Sequence, residues 1–269
     1  MRSIKDYTQS NRAAWNQIMP AHQKANKARL DAAFKDNNYS VISSPEIEEW
    51  NLLGFKNKDI AHLCCNNGIE LMSLKNLGAG ECVGFDICDV AIEEAKSRAL
   101  ASRNECQFVR TDVFAIPDEY NSKFDIAYIT VGALGWIPDI KGFFEKVKAL
   151  LKPSGTIFIY ELHPVIEMLP TDDNHDVNPL QIIEPYFKKE PYAETTGLDY
   201  IGKTDQQTTT QYWFVWKISD IIMAVIEQGF NVSRFIEYSH DISESHNRNQ
   251  TAGIEIPMSY ILVAKSNAS

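Results

Sequence analysis

An alternation of strand-like and helix-like segments, running from about residue 59 to residue 162, most constrains how this chain can fold. FDIAYITVG, within this region, is apolar almost throughout, as expected for a strand buried on both faces. Strands that alternate with helices at this spacing predict an α/β fold, in which right-handed crossovers join the strands of a parallel sheet. The five predicted strands are DIAHLCC, ECVGFDI, CQFVRTDV, FDIAYITVG and TIFIYEL, the last following a Lys-Pro-Ser-Gly turn at residues 152–155.

The segments on either side of this alternation complete the predicted organisation. Residues 8–35 carry apolar side chains at helical spacing and predict one or two amphipathic helices, broken or started near Pro20. Residues 165–210 lose the periodicity and hold prolines and a Thr/Gln run, which is typical of an insertion or lid. A helix, KISDIIMAVIEQG, follows, and then FNVSRFIEYS and IPMSYILVAKS, which we expect to close the sheet as an antiparallel pair. We therefore predict an N-terminal helical cap (residues 1–44), a core (residues 45–165 and 211–269) and a lid or substrate insertion (residues 166–210).

The composition narrows the range of partners. The formal net charge of the 269 residues is −10, and because phosphate backbones repel an acidic chain, we expect no nucleic-acid partner. No stretch approaches the roughly 20 apolar residues of a membrane helix, and the N-terminus lacks the apolar core of a signal peptide, so we predict a cytoplasmic protein with no membrane partner. The five cysteines include no CxxC pair, which predicts reduced thiols and no metal site. The pattern makes no prediction of the oligomeric state.

Three strand ends carry residues suited to a nucleotide-like ligand, since ligands of open parallel sheets bind at the carboxyl ends of the strands. Gly68 opens the helix after the first strand, where backbone amides and the helix dipole favour an anionic group. Asp86, 18 residues further on, ends the second strand and can accept hydrogen bonds from both hydroxyls of a ribose. Asp112, after the third strand, can accept a hydrogen bond from an adenine amino group, with Val113 or Ile87 against the ring.

On these strand ends the chain resembles the class I S-adenosylmethionine-dependent methyltransferases. The resemblance covers roughly residues 45–165 and the closing helix and strand pair at 217–265. More narrowly, the chain looks like a subgroup of uncharacterised bacterial members with an HLxCxxG first loop. The segments that carry this narrower resemblance are NRAAWN with His22 downstream, GALGWIPD, ELHP and QYWFVWKISDII.

The first loop departs from the superfamily pattern, which reads like hDhGxGxG with h apolar. In AHLCCNNG, His62 replaces the acid, Cys64 and Asn66 replace two glycines, and Gly68 is kept. Asn tolerates positive φ better than most residues and Cys is small, so we expect the loop still to pass near the methionine carboxylate. His62 has two interpretations: it hydrogen-bonds toward the methionyl end or holds the loop from behind, or it is a core histidine satisfied by the backbone. Cys65 points away from Cys64 and is expected to fill the core.

The resemblance implies a seven-stranded, mostly parallel, Rossmann-like sheet with S-adenosylmethionine as the cofactor. It also implies that Trp15 and His22, in the N-terminal helical region, close over that cofactor. Together with the strand ends, it gives a set of predicted cofactor-binding residues: Trp15, His62, Cys64, Asn66, Gly68, Asp86, Ile87, Asp112, Val113 and Thr130.

Methyl transfer from a sulfonium is a direct displacement that needs alignment, exclusion of water and, for some acceptors, removal of a proton. Glu161 and His163, at the end of the fifth strand, are the candidate general bases, and the alternative is a polar pair that shapes the turn before Pro164. Trp136 either walls the pocket or packs under the following helix. The predicted substrate-binding residues are Trp136, Tyr186, Tyr212 and Trp213, with core packing as the alternative for half of the aromatic residues of the lid.

These observations predict a methyltransferase whose acceptor is an unidentified small molecule that is neutral, cationic or partly apolar. The Asn/Asp-Pro-Pro-aromatic motif of DNA amino methylases is missing after the fourth strand. Two alternatives stay open. One is a non-catalytic protein that binds S-adenosylmethionine or S-adenosylhomocysteine. The other is an NAD(P)-dependent reductase, which is disfavoured because no tyrosine is followed four residues later by a lysine.

Overall fold

The computed structural model describes residues 2–198 and 206–267. Its strands are β1 (Ile60–Leu63), β2 (Cys82–Asp86), β3 (Gln107–Arg110), β4 (Phe124–Thr130), β5 (Leu151–Leu162), β6 (Tyr192–Glu194), β7 (Gln211–Trp213), β8 (Phe230–Tyr238) and β9 (Ser259–Ser266). Seven of them form one sheet in the order β3-β2-β1-β4-β5-β9-β8, and β6 pairs with β7. The pairs from β3 to β5 are parallel, and β9 is antiparallel to both of its neighbours. The predicted seven-stranded, mostly parallel α/β sheet with a closing antiparallel pair is therefore confirmed.

The order of the strands reverses at β1, which pairs with β2 on one side and with β4 on the other. In doubly wound sheets a crevice opens at such a switch point, outside the carboxyl ends of the strands. The chain segments that leave β1, β2 and β4 at Leu63, Asp86 and Thr130 therefore lie around a single crevice.

The helices are α1 (Ile4–Ala33), α2 (Ser44–Leu53), α3 (Ile69–Asn76), α4 (Asp89–Ser102), α5 (Ile140–Leu150), α6 (Ile218–Glu227) and α7 (Asn247–Gln250). The expected break near Pro20 is not found, because α1 continues through that residue. A proline inside a helix removes one hydrogen bond and crowds the preceding turn. The cost is offset by contacts on both sides of Pro20: Asn16 donates to Asp89 before it, and Asp31 accepts from Arg98 after it.

The sheet separates two apolar layers. One layer contains Phe143 of α5 and Val225 of α6, and the other contains Trp50 of α2, which stacks on Phe158 of β5 with ring centroids 4.1 Å apart. Because side chains alternate along a strand, β1 directs Ala61 and Leu63 into the first layer and His62 toward the second. The five cysteines carry free thiols, and four of them are buried.

One predicted connection, the turn at residues 152–155, differs in detail. β5 begins already at Leu151, which pairs with Phe124, so residues 152–155 lie within the strand and not in a turn. A register shift on β4 accommodates the extra residues, and Lys152 anchors them through bonds of 2.8 Å to Asp59 and 2.9 Å to Asp125.

The predicted lid, residues 166–210, contains a 3₁₀ turn, Ile166–Met168, and β6, which pairs with β7 just after the end of the lid. Residues 199–205 of that segment lie outside the described part of the chain. Among the described helices, none combines the length and the apolar character that crossing a membrane requires.

Candidate active site

A cavity of about 690 Å³ lies at the carboxyl ends of β1, β2 and β4, with α1 as its opposite wall. Most of the residues predicted for the site line it, namely Trp15, His62, Cys64, Asn66, Asp86, Ile87, Asp112, Val113, Thr130, Trp136 and Trp213. Five other residues predicted for the site are not among the described residues that line the cavity, namely Gly68, Glu161, His163, Tyr186 and Tyr212. The fold thus brings the ends of three strands and one face of α1 to the same space. The binding roles of these residues stay predictions.

In the loop after β1, every second residue has a positive φ angle, the backbone conformation that glycine adopts most easily. Cys64, Asn66 and Gly68 have positive φ values of 56°, 48° and 73°. Positive φ is uncommon outside glycine; asparagine tolerates it, and for other residues the left-handed conformation costs on the order of 1 kcal/mol. Between them, Cys65 is 1% exposed and packs into the core, as expected. The loop therefore has, at all three positions, the backbone conformation that glycine adopts most easily, although two of the three residues are not glycine.

Gly68 supports the loop from behind the cavity. A Cβ atom at this position would lie 2.5 Å from Cζ of Phe108 and still closer to the neighbouring ring atom. The Gly68 amide donates to the Cys65 carbonyl at 2.9 Å, which closes the turn at the start of α3. This glycine is therefore required for packing on β3 as well as for its backbone conformation.

Asp86 ties the end of β2 to this loop. Its Oδ2 accepts from the Asn66 amide and its Oδ1 from the Cys88 amide, both at 2.8 Å. Burial raises the pKa of Asp86, while these backbone amides favour the charged form and oppose the rise. Each carboxylate oxygen can accept a second hydrogen bond. The predicted contact with two ribose hydroxyls is thus compatible with the bonds that the carboxylate already makes.

The end of β3 supplies the residues predicted to hold an adenine. Asp112 caps the 3₁₀ turn Val113–Ala115, its Oδ1 accepting from the Phe114 amide at 3.1 Å. Val113 is 7% exposed, and Ile87 lines the same cavity from the end of β2. An apolar pair beside a carboxylate is the arrangement that a purine ring with an exocyclic amine requires.

His62 is a buried polar side chain at the cavity wall. It is 1% exposed, and neither ring nitrogen has a hydrogen-bond partner within residues 2–198 and 206–267. Burial lowers its pKa to about 3, so the ring is neutral and offers one donor and one acceptor. The interpretation as a histidine satisfied by the backbone is therefore wrong for the described residues. A ligand in the cavity is the partner such a group calls for.

Glu161 and His163 occupy positions that favour the alternative interpretation, a structural polar pair. The Glu161 carboxylate accepts from the amides of Gly132 at 2.8 Å and Leu134 at 2.9 Å, and it is 3% exposed. His163 bonds to Glu237 through Nε2 at 3.1 Å and accepts from a backbone amide through Nδ1. A general base must reach the proton that it removes, and neither side chain reaches the cavity as the described residues build it. Their positions do not support the predicted catalytic role, because both groups are committed to holding loops.

Three tryptophans form the other end of the cavity. The Trp136 ring lies 5.4 Å from Trp15 and 4.9 Å from Trp213, edge to face in both cases. Trp213 packs flat on the loop after β4, since a Cβ atom on Gly135 would lie 2.5 Å from Cδ2 of its indole. Gly135 therefore makes room for Trp213.

Two predicted substrate residues point elsewhere. Tyr212 alternates with Trp213 along β7 and therefore faces the opposite side, where its ring packs 4.9 Å from Tyr7. The Tyr186 hydroxyl accepts from the Ile218 amide at 3.2 Å, at the start of α6. The substrate-binding prediction is not supported for either tyrosine, because one side chain packs against α1 and the other caps a helix.

The NRAAWN segment explains how α1 closes the cavity. Asn11 exchanges two hydrogen bonds with the backbone of Tyr212, at 3.0 and 2.7 Å. Arg12 binds both carboxylate oxygens of Asp89 at the start of α4, and Asn16 donates to the same carboxylate at 2.7 Å. These contacts fix α1 against β7 and α4, and Trp15, which lies between the bonded residues on α1, lines the cavity.

Sequence reasoning missed several side chains that line the cavity. Glu167 accepts from Nε1 of Trp213 at 3.0 Å, and burial raises its pKa to about 7. Glu194 of β6 lines the same end. At the opposite end Arg29 is the one lysine or arginine among the described lining residues. Glu167 could have been found in the sequence, because it is the one acidic residue in the apolar stretch PVIEMLP, directly after the fifth strand.

An open, doubly wound sheet with this loop, Asp86 and Asp112 around one crevice defines the class I methyltransferase architecture. Residues 60–155 match the model of a family described as a methyltransferase domain. Residues 60–155 therefore carry a methyltransferase domain, which implies S-adenosylmethionine as the cofactor. The narrower subgroup with the HLxCxxG loop stays a prediction.

Curated relatives and solved structures agree with this class. A ubiquinone biosynthesis O-methyltransferase of Shewanella pealeana is 22% identical over 170 residues, which are 56% of this chain and 71% of that protein. One from a Chelativorans species is 29% identical over 115 residues, which are 43% of this chain and 44% of that protein. A solved S-adenosylmethionine-dependent methyltransferase from Mesorhizobium loti superposes with a TM-score of 0.58 at 20% identity, over 81% of this chain and 97% of that one. Another such methyltransferase, from Clostridium acetobutylicum, superposes with a TM-score of 0.59 at 14% identity, over 94% of this chain and 99% of that one. At these identities the structural likeness shows the fold.

Proposed function

We propose that this protein methylates a small molecule by direct displacement, with the acceptor bound between the loop after β4 and the lid. The observation that carries the proposal is the continuity of the cavity. One space connects the loop after β1, Asp86 and Asp112 with the tryptophans at its other end. Its volume of about 690 Å³ is within the range of pockets that enclose small ligands.

The residues present fit the cofactor. Asp86 and Asp112 offer free acceptor positions toward hydroxyl and amino groups. His62, whose ring nitrogens have no partner among the described residues, and the exposed Arg29 also line the cavity. Bound S-adenosylmethionine supplies a methyl group that its sulfonium already activates. The task left to the chain is to orient that methyl group toward the acceptor and to exclude water, and α1 with Trp15 is placed for the second.

The three-part division of the chain supports the same proposal. In it the core, residues 45–165 and 211–269, holds the cofactor, the cap closes over the cofactor, and the lid encloses the acceptor. The curated relatives are named as O-methyltransferases of ubiquinone biosynthesis, which supports an oxygen acceptor as the first class to test. A small-molecule acceptor in the cytoplasm, with no nucleic acid or membrane as partner, stays our expectation.

The test begins with calorimetric titration of the protein with S-adenosylmethionine, S-adenosylhomocysteine and NADH. We expect the first two to bind and NADH not to bind, and binding of NADH alone would refute the proposal. Asp86→Ala should weaken S-adenosylhomocysteine binding by about 1–3 kcal/mol, the scale of lost charge-assisted hydrogen bonds. Asp118→Ala, in the exposed 3₁₀ turn Asp118–Tyr120, is the matched control and should bind as the wild type does. Unchanged affinity in Asp86→Ala would show that the ribose lies elsewhere.

A transfer assay follows, with release of S-adenosylhomocysteine measured across a panel of phenols, amines and thiols. Transfer to a member of the panel would support the enzyme. Tight cofactor binding without transfer to any of them would favour the non-catalytic binder.

A further inference from the structure

Glu167 stands out as a carboxyl group at the acceptor end of the cavity. It lies in the 3₁₀ turn Ile166–Met168, directly after β5. Its Oε1 accepts from Nε1 of Trp213 at 3.0 Å, and its side chain lines the cavity. No donor from the described residues reaches Oε2. One oxygen is thus held in place and the other is available to a ligand.

The partner that holds Glu167 is itself fixed. The Trp213 indole packs on the backbone at Gly135 and meets the edge of Trp136. The backbone of Glu167 is held as well, since the Tyr192 hydroxyl donates to its carbonyl at 3.3 Å. The carboxylate is therefore preorganised, because both its backbone and one of its oxygens are fixed. A group that acts on a bound ligand needs such a fixed position.

The charges around Glu167 are mostly negative. Glu161 on β5 and Glu194 on β6 face it, and both disfavour its ionised form. Lys188 has the opposite effect, but its ammonium is already bonded to Glu184 at 2.8 Å. Burial is the main cause that raises the pKa of Glu167 to about 7, against the Trp213 bond, which lowers it. A carboxyl group that titrates near neutral pH can both accept and release a proton.

The described walls at this end otherwise consist of aromatic, aliphatic and polar side chains. None of the described lining residues there is a lysine or an arginine, and the nearby Lys188 is bonded to Glu184. An acceptor that carried a carboxylate or phosphate beside Glu167 and Glu194 would meet like charge without a counter-ion. A hydroxyl or an ammonium group would meet an acceptor oxygen and tryptophan faces, which favour cations.

We propose that Glu167 binds the nucleophilic O–H or N–H group of the acceptor and removes its proton, and that the acceptor carries no negative charge next to that group. The inference rests on the proposed function. The acceptor's proton passes to Oε2 of Glu167 while the lone pair of its oxygen or nitrogen forms a bond to the methyl carbon. The carbon–sulfur bond breaks with its electron pair left on sulfur, which becomes a neutral thioether. Glu167 then releases the proton to solvent when the product leaves.

The first experiment needs no acceptor. Tryptophan fluorescence is followed against pH in protein saturated with S-adenosylhomocysteine, for the wild type, Glu167→Gln and Glu190→Gln, an exposed lid control. We expect a component of the transition near neutral pH that is present in the wild type, disappears in Glu167→Gln and persists in Glu190→Gln. Glu46 accepts from Nε1 of Trp50, and burial raises its pKa to about 7, so its signal persists in both variants and is removed by subtraction. Identical titrations of wild type and Glu167→Gln would overturn the inference.

The second experiment tests the class of acceptor with two probes that share a phenol and differ in charge. Tyramine carries an ammonium group and 4-hydroxyphenylacetate a carboxylate. With S-adenosylhomocysteine bound, we expect tyramine to bind at least about tenfold more tightly, and Glu167→Gln to remove the difference. Equal binding, tighter binding of the anion, or no binding of either probe at its solubility limit would overturn the acceptor class.

The two proposals fail in different ways. If the wild type does not bind S-adenosylhomocysteine in the calorimeter, the proposed function fails. If it binds the cofactor product and transfers methyl groups, while Glu167→Gln leaves both the titration and the probe selectivity unchanged, only the present inference fails. The phenol and the deprotonated amine as alternative nucleophiles are separated in the transfer assay by phenethylamine, which has the amine alone.

Discussion

Replacing Gly68 with alanine should destabilise the protein far more than the same change at another glycine with positive φ. Two costs add at this position. The left-handed conformation, φ 73°, costs an alanine about 1 kcal/mol. The new Cβ would also lie 2.5 Å from Cζ of Phe108, and relieving such an overlap in a packed core costs about 1–3 kcal/mol. We therefore expect a loss of about 2–4 kcal/mol, a large part of the 5–15 kcal/mol typical of a folded domain.

Gly54 provides the matched control for the backbone term. It ends α2 with φ 78°, and nothing lies within 4 Å of a Cβ added there. Gly54→Ala should therefore cost about 1 kcal/mol or less, because alanine also restricts the unfolded chain. The free energy of unfolding is measured by urea titration for both variants, with S-adenosylhomocysteine affinity as a second readout. Only Gly68→Ala should weaken binding, since only that change displaces the loop bonded to Asp86.

A double-mutant cycle decides whether the Phe108 ring causes the difference. Phe108→Leu should recover about 1 kcal/mol or more of the Gly68→Ala loss, because it removes the ring edge that the methyl group meets. The reasoning is refuted if Gly68→Ala and Gly54→Ala lose the same stability within about 0.5 kcal/mol, or if the two changes at 68 and 108 are additive.

Two further predictions concern the loops around the cavity. Arg12→Ala should cost on the order of 1 kcal/mol, since the pair is partly exposed to solvent. Arg12 holds the pKa of Asp89 at about 2, below the ordinary 3.8. The stability that the ion pair contributes is therefore present above pH 3.8 and is lost as the pH falls toward 2. The melting temperatures of the wild type and Arg12→Ala should converge across that window, and a constant difference would contradict the linkage. Glu161→Gln should destabilise the fold by about 1–3 kcal/mol, because an amide NH₂ would face a backbone N–H, while affinity for S-adenosylhomocysteine stays unchanged. Full stability with abolished turnover would instead restore Glu161 as a catalytic base.

The sheet and its strand ends could be predicted from the sequence because they depend on local periodicity. Apolar runs at regular spacing identify the strands, and the first polar residue after each, such as Asp86 or Asp112, then lies at the crevice by topology alone. The continuous α1 could not be predicted in this way. Its passage through Pro20 depends on bonds to residues far along the chain, Asp89 and Tyr212 among them.

The acceptor end was predicted less well, for a physical reason. β7 is three residues long, and which face its side chains take depends on pairing with β6 and on bonds with α1. Nothing local distinguishes Trp213, which lines the cavity, from Tyr212, which does not. The same holds for the carboxylates after β5: Glu161 turns into the loop after β4, and Glu167, six residues later, reaches the cavity.

The first loop shows why one glycine of three is kept. Positions 64, 66 and 68 share the left-handed backbone, so backbone conformation alone would require glycine at all three. Their side chains differ in surroundings: those of Cys64 and Asn66 line the cavity, whereas a side chain at 68 would enter the Phe108 ring. The two replaced positions can bear a modest backbone cost, while position 68 would add a steric cost to it. Because Cys64 and Asn66 then project side chains toward the cofactor end, the replacement narrows that end of the cavity and adds a thiol and an amide to its wall.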